Sequence, residues 1–196
     1  MDQLGPLAVF AIVATISPGG ATALATASGV RFGVLRSLPL LAGISAGLGV
    51  LMVVVGAGLG TVVQQYPSAQ FYLKVVGSAY LLWLAWSIAR QGAPRGESAL
   101  EKPMGFATGV LLLWLNPKAW TMATAAAGTY ASLADSGLAL GLLLGVVFLL
   151  AAAGSTFTWC VLGSALARWL HTERAWRGVN VSLAVLLAAS IVPLWM

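Results

Sequence analysis

The chain has 196 residues, 60% of them hydrophobic and only 8% charged, with a mean hydropathy of +0.94. A soluble core of this size needs a far more charged surface, and its long apolar runs do not match the short alternating strands of a membrane barrel, so both classes are excluded. The net charge of +5 reflects basic loops on one membrane face rather than nucleic-acid binding, and one cysteine, Cys160, leaves no disulfide framework or paired-thiol relay.

Apolar segments recur from end to end, which predicts an all-α polytopic membrane protein. Six transmembrane helices are expected at about 4–28, 38–63, 70–90, 106–130, 137–164 and 178–196. About 20 apolar residues at 1.5 Å rise cross a ~30 Å hydrocarbon core. Asp2 stands where a signal peptide would be positive, and the first run outlasts a signal's apolar region, so it reads as a span.

Span one carries Ser17-Pro18-Gly19-Gly20 near its middle. Proline lacks the N–H of a helix interior, and two glycines loosen the backbone further, so the helix should break and release N–H and C=O groups that lipid cannot satisfy. Span two is rich in glycine, including Gly43, Gly47 and Gly56, a spacing that permits close helix contact and allows a homodimer. Span three holds Tyr72, Tyr80, Trp83 and Trp86, of which those near its ends suit the interfacial aromatic belt. A polar linker with Gly92, Pro94, Gly96, Glu97, Glu101 and Lys102 follows.

Span four repeats the break, with Asn116-Pro117-Lys118 in its middle. A lysine at the bilayer centre costs from ~3 to ~10 kcal/mol or more, so it faces inward and serves a function. Trp114, four residues before Lys118, shares its face if that stretch is helical; Trp114 and Trp120 are candidate site walls. The segment Arg168 to Arg177 mixes basic and aromatic residues and should lie on the lipid surface, with His171 a solvated interfacial residue.

The connecting segments fix an orientation. Eight of the ten basic residues fall in the 1–2, 3–4 and 5–6 loops, against Lys74 on the other side and Lys118 at depth. The asymmetry places those loops in the cytoplasm and both termini outside.

The halves also resemble each other. At a shift of 99, Pro18 falls on Pro117 and Thr22 on Thr121; at 98, Gly43, Gly47 and Gly56 fall on Gly141, Gly145 and Gly154; at 103, Lys74 falls on Arg177. Three spans per repeat is an odd number, so the second copy is inverted, the plan of secondary transporters whose site lies at midplane between broken helices. The division is 1–92 for the first repeat, 93–104 for a cytoplasmic linker and 105–196 for the second.

On these residues the chain resembles the LysE-type amino-acid exporters, in their threonine/homoserine-lactone branch. The matching elements are Ser17-Pro18-Gly19-Gly20, Gly29-Val30-Arg31-Phe32-Gly33, Asn116-Pro117-Lys118 and the Lys74…Gly77…Tyr80-Leu81 pattern. The departure is Gly20, where the family's first element carries a second proline. The resemblance implies proton-driven export of an amino acid or related small metabolite across the bacterial inner membrane.

The residues suggest how. All five acids, Asp2, Glu97, Glu101, Asp135 and Glu173, lie in termini or loops, so Lys118 has no counter-ion within the spans. The carboxylate of the substrate can serve as its anion, helped by N–H groups freed where the helices restart after Pro18 and Pro117. Ser17, Asn116 and carbonyls unpaired by the prolines can take the substrate's ammonium group. With no carboxylate at depth, Lys118 is also the candidate for proton coupling. The expected partners are a small solute, protons and lipid, with no cofactor and no nucleic acid. A metal-cation exporter, an intramembrane enzyme and a non-transporting scaffold are the alternatives. The first wants carboxylates, histidines or thiolates, of which the spans offer only Cys160, and the second a nucleophile with its base.

Overall fold

The computed structural model describes residues 3–60, 65–90, 103–192 and Trp195. Among them the chain forms seven α-helices: α1 (Leu4–Ile16), α2 (Gly20–Val54), α3 (Pro67–Ala89), α4 (Phe106–Trp114), α5 (Pro117–Thr129), α6 (Gly137–Ala167) and α7 (Glu173–Ala189). No strand occurs among the described residues. The runs Gly20–Leu59, Gln70–Ala89 and Gly137–Ala167 are long and apolar enough to cross a membrane. The expected first and fourth spans each appear as two shorter pieces, α1 with the start of α2, and α4 with α5.

Both breaks follow from local chemistry. The residue before proline is pushed out of the helical region, and Ser17 (ψ 138°) and Asn116 (ψ 107°) are both extended. Pro117 occupies the first position of α5, where a missing N–H costs nothing, and the Asn116 side chain caps the helix by accepting from the Lys118 N–H at 3.0 Å.

The 1–2 connection is tighter than expected. Arg31 and Arg36 stand in helix, not in a loop, and the only non-helical residue between them is Gly33, with φ 74° and ψ 175°. That positive φ suits glycine. In a straight helix Ser28 and Ser37 would be roughly 13 Å apart along the axis, yet their hydroxyl oxygens lie 2.7 Å from each other. Gly33 is therefore a corner that folds α2 into two arms. The expected surface segment 168–177 is also shorter, because α7 begins at Glu173, capped by the Thr172 hydroxyl. Trp169 is exposed there, but Trp176 is buried and donates its indole N–H to the Leu170 carbonyl at 2.9 Å. The linker expected at 93–104 falls, up to residue 102, outside the described residues.

Helix α2 is the centre of the bundle and packs chiefly on α6 and α4, with α3 against α7 and α1 against α6. A Cβ at Gly43 would strike the Phe106 backbone, one at Gly109 the Leu40–Ile44 backbone, and one at Gly56 would meet the Gly141 Cα at 2.6 Å. Absent side chains thus bring backbones together, as lipid-embedded helices require. Contacts also give directions. Phe10 meets Phe148 and Ile16 meets Trp159, so α1 runs parallel to α6. Gly49 meets Gly145 and Gly56 meets Gly141, so the second arm of α2 runs antiparallel to it.

Candidate functional site

The two breaks come together. Lys118 Nζ donates to Ser17 Oγ at 2.9 Å across 101 residues of chain. A Cβ at Gly19 would lie 3.2 Å from that nitrogen, and one at Gly20 3.5 Å from Asn116 Nδ2. Ser17, Gly19, Gly20, Asn116 and Lys118 line one cavity, with a free volume of about 50 Å³. At ~10–15 Å³ for each water, it holds a few waters or one compact solute.

Other elements complete the walls. The first arm of α2 adds Thr22, its second arm Ile44 and Leu48, α1 adds Ala14 and Thr15, α5 adds Met122, and α6 adds Ala152 and Thr156. Pro18 and Pro117 shape the breaks without lining the cavity. Trp114 and Trp120 also stand apart from it. The helix is interrupted between Trp114 and Lys118, so the four-residue spacing does not put them on one face. The two indoles pack edge to face at 6.1 Å, and Trp120 Nε1 donates to the Trp114 carbonyl at 2.8 Å. Trp120 instead borders a separate groove with Lys74 and Thr121.

The carbonyls of Ala14, Thr15, Ile16 and Leu113 at the two breaks already have donors within the protein. Pro18 cannot donate to Ala14, and the Ser17 hydroxyl does so at 2.9 Å. The Thr15 carbonyl accepts from Ser155 Oγ at 2.8 Å and the Ile16 carbonyl from Trp159 Nε1 at 3.1 Å. In the second break the Asn116 N–H reaches the Leu113 carbonyl at 3.2 Å. Buried polar groups need partners and lipid supplies none, so neighbouring side chains fill the gaps.

The two restarts differ in their donors. At α5 the Lys118 N–H is capped by Asn116 Oδ1 and the Ala119 N–H by the Asn116 carbonyl. At α2 the Gly19 N–H is held by Thr22 Oγ1 at 2.8 Å, while Gly20 and Ala21, in the first helical turn, line the cavity. First-turn N–H groups lack a partner within their helix and favour anions. Ser155, Thr156 and Trp159 escaped the sequence reading. The cluster Ser155-Thr156-Phe157-Thr158 inside an apolar run was the available signal.

A chain with two facing breaks around an inward lysine matches the sequence profile of the LysE type translocators over residues 12–191. The chain belongs to that family. This LysE-type protein is 31% identical over 181 residues to a cysteine/O-acetylserine efflux protein of Salmonella choleraesuis, covering 91% of this chain and 90% of the relative. It is 29% identical over 181 residues to a protein of the same description from Escherichia coli, with the same coverage. Over 109 residues it is 33% identical to another from Klebsiella pneumoniae, covering 56% of this chain and 55% of that one. No solved structure matches. That family is one of translocators rather than enzymes, and the all-helical fold of the described residues, with three runs long and apolar enough to cross a membrane, is consistent with it.

Proposed function

We propose that this protein exports a small amino acid or amino-acid derivative from the cytoplasm of a bacterium by proton antiport, with its site at the membrane midplane between α1–α2 and α4–α5. The carrying observation is the Lys118 Nζ to Ser17 Oγ contact, which joins the two breaks inside a cavity. The relatives' description as cysteine/O-acetylserine efflux proteins supports a compact neutral zwitterion as the guest. The chain would cross the inner membrane six times as two inverted three-helix repeats, 1–92 and 105–196, with both termini outside. The helix directions support that plan: α1 is parallel to α6 and the second arm of α2 antiparallel to it, as crossings one, five and two must be.

In this mechanism the substrate carboxylate is held by the first-turn N–H groups of α2, and Lys118, neutral once the substrate is loaded, donates an amine N–H to it. Its ammonium group faces the oxygens of Ser17, Asn116 and Thr156. Two ammonium groups a few ångströms apart in a cavity repel strongly, so the substrate's charge and the Lys118 proton exclude each other. Loading from the cytoplasm expels the proton inward. Release outside lets Lys118 take a proton from that side and return.

The test is counterflow of labelled cysteine in proteoliposomes under an imposed pH gradient. Lys118→Ala should abolish flux while the purified protein stays monodisperse. Lys118→Arg, which keeps a charge but cannot release a proton, should abolish gradient-driven flux as well. Full pH-driven transport by either variant would remove the lysine from the mechanism.

A further inference from the structure

We infer that Met122 and Ala152 set the size of the transported side chain, so that the guest is an amino acid with a short, unbranched, uncharged side chain. This rests on the export reading above and goes further by naming what the site selects.

The cavity has two unlike ends. One is the meeting of the breaks, where Ser17, Asn116 and Lys118 present polar groups. One helical turn along α5 from Lys118 lies Met122, and around it stand Ala14 of α1, Leu48 of α2 and Ala152 of α6. These four side chains are all apolar, Ala152 is almost fully buried, and the neighbouring Thr15 and Thr156 hydroxyls donate to the Ala11 and Ala152 carbonyls at 2.8 and 2.7 Å.

Phe10 and Phe148 sit four residues before Ala14 and Ala152, one turn further along the same faces of α1 and α6. Phe10 packs at 6.0 Å against both Phe148 and Tyr130, and Phe148 is fully buried. These three rings pack together one turn beyond Ala14 and Ala152.

A zwitterion anchored at Lys118 must therefore point its side chain at Met122, Leu48 and Ala152. The free volume of about 50 Å³ leaves room for few non-hydrogen atoms there. A branched or aromatic side chain meets the Ala152 wall. A cationic one finds no acid, and an unpaired charge in an apolar pocket is strongly unfavourable. Met122 is the adjustable wall, since an unbranched thioether with three rotatable bonds can yield to a slightly longer guest.

The experiment is a competition profile. Counterflow of labelled cysteine by the full chain in proteoliposomes is competed with unlabelled alanine, serine, leucine and phenylalanine. The same is done for Met122→Ala and Ala152→Val. A methylene in such a pocket discriminates by roughly 10- to 200-fold. The wild type should take alanine and serine and reject leucine and phenylalanine by about tenfold or more. Met122→Ala should narrow the leucine-to-alanine gap by about tenfold, and Ala152→Val should widen it. A damaged protein loses all competitors alike, so the opposite shifts are diagnostic, and either variant alone has a defined sign. Leucine competing as well as alanine in the wild type, or both variants changing every competitor by one factor, overturns the sieve while export stands. No amino-acid flux from the wild type removes the export reading, and the sieve falls with it.

Discussion

At the scale of single residues, Ser17 has two tasks. Its hydroxyl donates to the Ala14 carbonyl, which Pro18 cannot serve, and accepts from Lys118 Nζ. Hydrogen bonds to charged groups contribute about 1.5–3 kcal/mol, and a buried carbonyl left without a donor costs about 1–3 kcal/mol. Ser17→Ala should thus lower transport by about tenfold or more and reduce thermal stability in detergent. Ser17→Thr, which keeps the hydroxyl, should restore most of both. Loss of stability with unchanged flux would make Ser17 a cap for α1 and nothing more. The lysine was legible in the sequence because a charge inside an apolar run stands out by composition. Ser17 was also readable as a site residue beside a break, but its pairing with Lys118 was not, because only folding brings residue 17 to residue 118.

Among elements, the end of α1 is held by side chains of α6. Ser155 and Trp159 supply the donors that the Thr15 and Ile16 carbonyls lose at the break. Ser155→Ala and Trp159→Phe should each cost about 1–3 kcal/mol, read as a lowered thermal midpoint of the purified protein, and the double variant should lose more than either. An unchanged midpoint in both would mean that water or a shifted backbone satisfies those carbonyls. The breaks themselves were readable, since Ser-Pro and Asn-Pro carry their own backbone instructions. The fate of the freed carbonyls was not, because their donors come from a helix some 140 residues away. The Gly33 corner was missed for a similar reason. Arg31 and Arg36 suggested a solvated loop, while one glycine at positive φ turns the chain within two helical arms.

For the whole molecule, the distribution of basic residues predicts an orientation. Asp135 and His171 are exposed at opposite ends of α6, whereas Cys160 is fully buried. In intact cells, Asp135→Cys should react with a membrane-impermeant maleimide, and His171→Cys should react only after permeabilisation, with Cys160 silent. The reverse pattern would put the termini in the cytoplasm and invert the proposed direction of transport. The same scale revises the view of self-association. Gly43 and Gly56, which suggested an outward contact face, are spent inside the bundle against α4 and α6.

Composition and local pattern were enough to determine a helical membrane protein, the places where two of its helices break and the lysine beside one of them. Each is a property of a short stretch of chain, written in hydropathy and in proline's missing N–H. Only the tertiary structure decided that the breaks meet, that Lys118 reaches Ser17, that the tryptophans stand aside and that alanines and a methionine line the cavity. Those are relations between residues far apart in the chain, set by which helices can approach closely enough to pack, and no local pattern contains them.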